Sequence, residues 1–422
     1  AEHRIVRAYL EPQPDDSIPR FDYEAHLADL LSTPPRWPES TKRISELRVT
    51  IEYRSSYVLK RLAGYSKLHL DIVDYPGEWL TDLPMIEQDY RAFSTEALAL
   101  AASPSRTEFA KPFLDFLAGT DPAAAEDEQI AITGAKLFTT YLRATRDSGA
   151  QSTLAPGRFL LPGELDGSPL LTFFPMPLTS DERLPRGSLV AMMARRFESY
   201  KSLVVRPFFN DHFAKLDRQI VLVDVLTALH RGAEAVGDLE RAMTNILRAF
   251  RPGANSWISM FLGRRIDRVL FAATKADHLP ASSHDRLEGI LKEIVDDAVL
   301  RAQTEGAGVN ALALSALRAT REATAKHGGE TLPCLRGTPI KGERIDKVTF
   351  DGLTEAAIFP GDLPADPAAA LNEARHRASA SLELVRFAPP KLANTLADGK
   401  PAAFPHIRLD RALDFLISDY LA

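Results

Sequence analysis

The chain has 422 residues, 45% of them apolar and 26% charged, with a net charge of −6 and an isoelectric point near 6.0. That length predicts two or three cores, and that charge argues against a general nucleic-acid binder. A single cysteine, Cys334, excludes an intramolecular disulfide and favours a reducing compartment; with no run of 18 apolar residues to span a bilayer and no charged-then-apolar leader, the expectation is a cytoplasmic protein, peripheral at a membrane at most.

The opening HRIVRAYL reads as a strand without a cap. Pro12 to Pro38 is rich in proline and acidic residues and predicts loop plus a short helix over Tyr23 to Leu31. Ser40 and Thr41 then precede an alternating strand, Ile44 to Arg54. The next stretch, LHLDIVDYPGEW (Leu68 to Trp79), is the most informative in the chain. Leu68, Leu70, Ile72 and Val73 predict a strand buried on both faces, which Pro76 and Gly77 end at once. At its carboxyl end Asp74 and Gly77 form D-x-x-G. In nucleotide hydrolases such an acidic residue holds Mg²⁺ and the glycine amide can meet a γ-phosphate. Thr41 fits the mobile-loop threonine that precedes such a hairpin, with Thr50 inside the strand the less attractive competitor, although Ser40 or Thr41 could equally cap a turn.

From Thr81 to Leu216 apolar residues recur at helical spacing, over Leu83–Leu100, Phe109–Leu117 and Ile130–Thr145, while Leu170–Pro177 is apolar without a clear period. This is expected to be an inserted helical subdomain. Arg195, Arg196, Lys201, Arg206 and Lys215 lie among aromatics there, as a solvated face or, less favoured, an anion-binding one. Ile220 to Val225 returns to the sheet as a buried strand, with Asp224 near its end, and Asp238 is the expected N-cap of a helix over Leu239–Phe250. Ile266 to Ala273 is a strand ending in Thr274-Lys275-Ala276-Asp277, that is, T-K-x-D. A carboxylate there accepts from the N1 and N2 donors of guanine and repels adenine, while the lysine stem lies over the base. Ser282 to Gln303 predicts a long amphipathic helix. Val309 to Leu314 predicts a third strand, ending at Ser315-Ala316, where GTPases present a backbone amide to the guanine carbonyl. Strand, helix, strand, helix, strand is the alternation of a parallel doubly wound sheet. After Lys326 the pattern becomes loop-rich and β-like, and Leu409, Leu413, Leu416 and Ile417 predict a final docking helix.

Three strand-end motifs in this order resemble those of a GTPase of the translation-factor-related class. One part is missing: no G-x-x-x-x-G-K-[ST] occurs, and the only Gly-Lys pair is Gly399-Lys400, followed by Pro401. With DIVDYPGEW, TKAD, WPEST, VLVDVLTALHRG and PHIRLDRALDFL together, the chain resembles the YcjX family of bacterial stress-associated P-loop GTPases along essentially its whole length, as a member that starts after the family's amino-terminal P-loop. The resemblance implies an α/β, P-loop GTPase-like, mostly parallel doubly wound sheet with a large helical insertion and a mixed C-terminal extension. On that basis residues 1–80 form the first part of the G domain, 81–216 the insertion, 217–326 the second part and 327–422 the extension.

It also implies GTP or GDP with Mg²⁺ as ligands and a membrane-protein partner in envelope stress; from the net charge, no specific nucleic acid is expected. Asp74 and Thr41 would serve the metal, and Thr274, Lys275, Asp277, Ser315 and Ala316 the base. Gly77 and Glu78 would act at the γ-phosphate. Glu78 occupies the place of the water-orienting glutamine of the Ras-like pattern, and a carboxylate there predicts slow hydrolysis. The competing readings are a G-domain-like scaffold without turnover, and an ATPase.

Overall fold

A computed structural model describes residues 4–55, 64–148, 154–178, 184–249, 266–304, 307–327, 330–376, 382–391 and 403–421. Gly399-Lys400 lies outside these residues. The chain divides into two compact units, the first made of residues 1–74, 217–236 and 266–422, the second of residues 75–216 and 237–265.

The first unit begins with β1 (Ile5–Glu11), α1 (Tyr23–Leu31), β2 (Ser45–Tyr53) and β3 (Ser66–Asp74). Asp22 starts α1 by accepting from the Ala25 amide. The strands form an antiparallel sheet in the order β1-β2-β3, with Ser45 opposite Asp74 and Tyr53 opposite Ser66. Apolar residues of β2 point inward, and the buried Glu52 between them is held by the Arg7 guanidinium at 2.7 Å and the Tyr9 hydroxyl at 3.0 Å. A carboxylate so paired can be buried at little cost.

The second unit then intervenes, with a 3₁₀ segment Gly77–Ile86, α2 (Tyr90–Ala101), α3 (Thr107–Ala118), α4 (Glu128–Asp147), α5 (Leu189–Tyr200) and α6 (Arg206–Asp211). Asp89, Asp127 and Ser188 cap α2, α4 and α5, which is why these helices start where short polar residues stand. Its core is aromatic. Phe93 stacks on Phe197 at 4.9 Å, and Phe173 meets Phe159 edge-on at 5.0 Å. Leu170–Pro177, whose type the sequence leaves open, is largely irregular chain that buries Phe173, Phe174 and Met176 in this core. Three of the basic residues of the insertion are engaged within it. Arg195 pairs with Glu126, Arg196 pairs with Glu128, and the Lys201 ammonium donates to the Gln88 carbonyl.

One buried acid matters to this unit. Asp82 accepts from the Gly157 amide at 2.6 Å and from the Tyr200 hydroxyl. Burial pushes its pKa up to about 6, against the pull of Tyr200, Gly157 and Arg158. Since the folded value lies above the ordinary 3.8 of an aspartate, the native state keeps a proton that the unfolded chain releases. This stabilisation is complete below about pH 4 and is lost as pH rises to about 6, a change of about 3 kcal/mol. The thermal midpoint of the wild type relative to Asp82→Asn should therefore fall between pH 4 and pH 7. A difference independent of pH would refute the assignment.

The chain returns through β4 (Arg218–Val223), α7 (Val225–Arg231), α8 (Ala233–Ala249), β5 (Arg268–Ala273), α9 (His284–Thr304) and β6 (Gly308–Ala313). These strands form a parallel sheet in the order β4-β5-β6, with Val223, Ala273 and Ala313 level at their carboxyl ends. The described chain is thus mixed α/β with a parallel sheet and many helices. A second antiparallel sheet, ordered β11 (Ala356–Ile358), β8 (Glu330–Gly337), β7 (Arg321–His327), follows, with a small ribbon of β9 (Arg344–Ile345) and β10 (Val348–Thr349). Then come α10 (Pro367–His376) and α11 (Leu409–Ile417). Ala412, Leu416 and Ile417 of α11 pack on Ile51, Tyr53, Leu270 and Leu312, joining the β1–β3 and β4–β6 sheets into one core.

Three expectations are corrected. β3 is not buried on both faces. Among the described residues it pairs only with β2, and Ile72 is 45% exposed. Asp238 does not cap a helix but lies inside α8, buried between the Arg106 and Arg241 guanidiniums. Leu413 is 41% exposed, and Ala412, Leu416 and Ile417 carry the packing of α11 on the core.

Candidate nucleotide site

The level carboxyl ends of β5 and β6 set two loops side by side. The Leu314 amide donates to the Ala273 carbonyl at 2.8 Å and the Ala276 amide to the Leu314 carbonyl at 3.2 Å, tying Thr274–Asp277 to Ser315-Ala316. Loops at this edge are where open α/β sheets place ligands. Thr274 is braced by its amide on the Val223 carbonyl at 3.0 Å. Lys275 adopts the left-handed conformation, φ 61°, which is uncommon for a side-chain-bearing residue outside functional turns. This turn brings its ammonium to Asp224 at 2.6 Å. Burial acts to raise the Asp224 pKa, but Lys275 and Thr227 outweigh it and hold the carboxyl below its ordinary value.

Asp277 is only 5% exposed. Its Oδ2 accepts from the Ala319 amide at 2.9 Å and its backbone carbonyl from the Thr320 hydroxyl. Oδ1 accepts no hydrogen bond from another described residue. Oδ1 is not among the fully enclosed unpaired side-chain oxygens, so it keeps an open face on which water or a ligand donor can be accepted. The neighbouring His278 has its pKa lowered chiefly by burial, with Asp277 acting the other way, and its ring meets Phe387 edge-on at 5.4 Å. Ser315 is fixed by a two-way backbone pairing with Ile407 and by its hydroxyl on the Leu317 carbonyl at 2.9 Å, whereas Ala316 is exposed.

At the end of β3 the Thr41 hydroxyl donates to Asp74 Oδ2 at 2.6 Å. A carboxylate and a hydroxyl are hard oxygen donors of the kind Mg²⁺ takes when substrate phosphates and waters supply the remainder. Among the described residues no cluster of three or more His, Cys, Asp or Glu could hold a metal by itself. Gly77 and Glu78 belong to the second unit. Nothing lies within 4 Å of the position a Gly77 side chain would take, and the Glu78 carbonyl accepts from the Thr81 hydroxyl at 2.7 Å.

The model of the YcjX-like family, DUF463, matches residues 1–421. The chain belongs to this family. It is also 35% identical over 428 residues to a protein of Escherichia coli (strain K12) named Ras-like GTPase YcjX, covering 100% of this chain and 87% of that protein. A second relative of the same name, from Shewanella oneidensis, is 34% identical over 427 residues, covering 100% of this chain and 84% of its own length.

Sequence reasoning missed several residues that shape the site of this YcjX-like chain. Asp224 was legible only as a residue near a strand end, and its pairing with Lys275 across 51 positions leaves no local trace. Ala319 and Thr320 hold Asp277 from more than 40 residues away, and an alanine amide carries no sequence signal at all. Trp37 donates its indole N–H to the Phe387 carbonyl at 2.6 Å. The WPEST string drew attention to Trp37, but not to that partner.

Proposed function

We propose that this chain is the G domain of a slow guanine-nucleotide switch built on a P-loop GTPase fold. The observation that carries the reading is the buried Asp277, held by one oxygen and leaving the other as an acceptor beside the exposed Ala316. An acceptor-only group facing a base edge favours guanine, which donates from N1 and N2, over adenine. Lys275 would lie along the base, Thr274 would brace the loop, and Ser315 would hold the turn that offers the Ala316 amide. Thr41 and Asp74 would hold the Mg²⁺, which when bound neutralises phosphate charge. Assigning the γ-phosphate contact to Gly77 and the orientation of water to Glu78 rests on their order in the sequence.

The missing cradle is part of the reading. Ile220 and Leu222 of β4, 40% and 65% exposed, stand level with Leu270 and Ala272 of β5, which α11 covers. Ile72 continues the face of Leu68 and Leu70 that meets the same core. A strand and helix bearing a phosphate loop would cover this bare face. We further read the protein as a hydrolase of the stress response, in the cytoplasm or at the inner membrane through a membrane-protein partner. Among the described residues no helix is long and apolar enough to cross a membrane.

Titration with fluorescent GDP and ATP tests the reading, using the chain alone and a version extended by an amino-terminal strand and loop with G-x-x-x-x-G-K-[ST]. The extended form should bind GDP at least a hundredfold more tightly than ATP, and the chain alone should bind both weakly. Equal affinities would favour an ATPase. Binding of neither by the extended form would leave a scaffold.

A further inference from the structure

The first unit holds a groove of about 1080 Å³ beyond the base-reading loops, lined by Pro34–Trp37, Arg318–Glu322, Arg336–Thr338 and Ala388–Lys391 among others. Its walls are fixed by backbone pairing. The Ala388 amide donates to the Thr338 carbonyl and the Ile340 amide to the Arg386 carbonyl, both at 2.8 Å, and the Arg318 amide donates to the Pro405 carbonyl at 2.7 Å. The Trp37 indole on the Phe387 carbonyl closes one side.

Six cations and three carboxylates line the groove, and the carboxylates are engaged. Glu355 pairs with Arg321 at 2.8 Å, and Glu322 accepts from the Ala281 amide at 3.0 Å. Asp351 accepts from the amides of Leu353 and Thr354, which with the Thr354 hydroxyl hold its pKa at about 2. Arg318, Arg336, Lys341 and Lys391, in contrast, make no ion pair among the described residues. The buried Arg318 Nε has no hydrogen-bond partner. Such a positive cavity in a chain of net charge −6 is complementary to an anion. Of the apolar side chains that line it, Leu353 is 72% and Trp37 40% exposed.

We propose that this groove binds an extended acidic peptide segment of a partner protein. Its carboxylates would meet Arg318, Arg336 and Lys341, and its apolar side chains would meet Trp37 and Leu353. A small anion would use the cations but leave these apolar contacts idle, and the volume exceeds what small ligands usually fill. A wall fixed by backbone pairing that offers both apolar and charged contacts suits an extended chain.

Fluorescence anisotropy on the full chain tests this with fluorescein-labelled peptides of alternating Glu and Leu, Lys and Leu, or Glu and Ser. The Glu–Leu peptide should bind with a Kd on the order of micromolar, and the Lys–Leu peptide should not bind. Arg336→Glu combined with Lys341→Glu should weaken binding at least tenfold, and so should Leu353→Asp alone. These three residues are exposed, so thermal midpoints should hold; if the double variant fails to fold, Leu353→Asp decides. The proposal is overturned if the variants bind the Glu–Leu peptide unchanged, if the Glu–Ser peptide binds as tightly, or if pyrophosphate displaces the peptide at equal concentration.

Discussion

Asp277→Asn, in the form that carries a phosphate cradle, is expected to lower GDP affinity at least a hundredfold and to raise affinity for xanthosine diphosphate. The aspartate oxygen would receive two donors from guanine, and charge-assisted hydrogen bonds contribute about 1.5–3 kcal/mol each. Their loss is thus worth about 3 kcal/mol or more, which is at least two orders of magnitude in Kd. The substitution keeps the fold. The asparagine carbonyl can accept from the Ala319 amide as Oδ2 does at 2.9 Å, and its amide then turns toward the ligand as a donor, where xanthine offers a carbonyl and guanine offers N–H. Fluorescent-nucleotide titration reads the change. Unaltered GDP affinity in a folded variant would remove Asp277 from base recognition, and the guanine reading with it.

Gly157→Ala should disrupt the helical unit, at a cost above about 3 kcal/mol. A Cβ on Gly157 would lie 1.9 Å from the Glu78 carbonyl oxygen, 2.5 Å from its carbon and 3.1 Å from the Trp79 nitrogen. All three are backbone atoms, so no rotamer change relieves the overlap. Retreat is blocked as well, since the Gly157 amide donates to the buried Asp82 and the Arg158 guanidinium lies 3.2 Å over the Trp79 ring. Denaturant unfolding followed by tryptophan fluorescence and near-ultraviolet circular dichroism measures the loss; a change below about 1 kcal/mol would mean that the two segments do not pack this closely. Gly77→Ala is the natural control, because that position is open and the variant should fold normally.

The parallel core was legible because each of its strands is a short apolar run ended by a motif, and β4, β5 and β6 fall within two residues of the ranges the pattern predicts. A run of apolar letters does not say how many neighbours a strand has, so β3 and the outer face of β4 were read as more enclosed than they are. Asp238 followed a glycine, as a cap would, yet the helix had begun five residues earlier at Ala233. Its real role, between Arg106 and Arg241, depends on a residue 132 positions away. At the site, the residues carrying motifs could be named in advance, while those that orient them could not. Backbone amides such as that of Ala319, and contacts such as Trp37 with Phe387 across 350 positions, are products of tertiary packing with no periodic signature.

The uncovered aliphatics of β3 and β4 also bear on how this chain fares in a crowded cell. Each strand is a sheet edge among the described residues, so rows of backbone donors and acceptors stand beside Ile72, Ile220 and Leu222. Soluble proteins guard such edges with charge. On β3 Lys67, His69 and Asp71 alternate with the apolar residues, but β4 has only Arg218, at its first position, before an uncharged QIVLV run. Of these two edges β4 is the less guarded, and it is the one that the strand and helix proposed above would protect most.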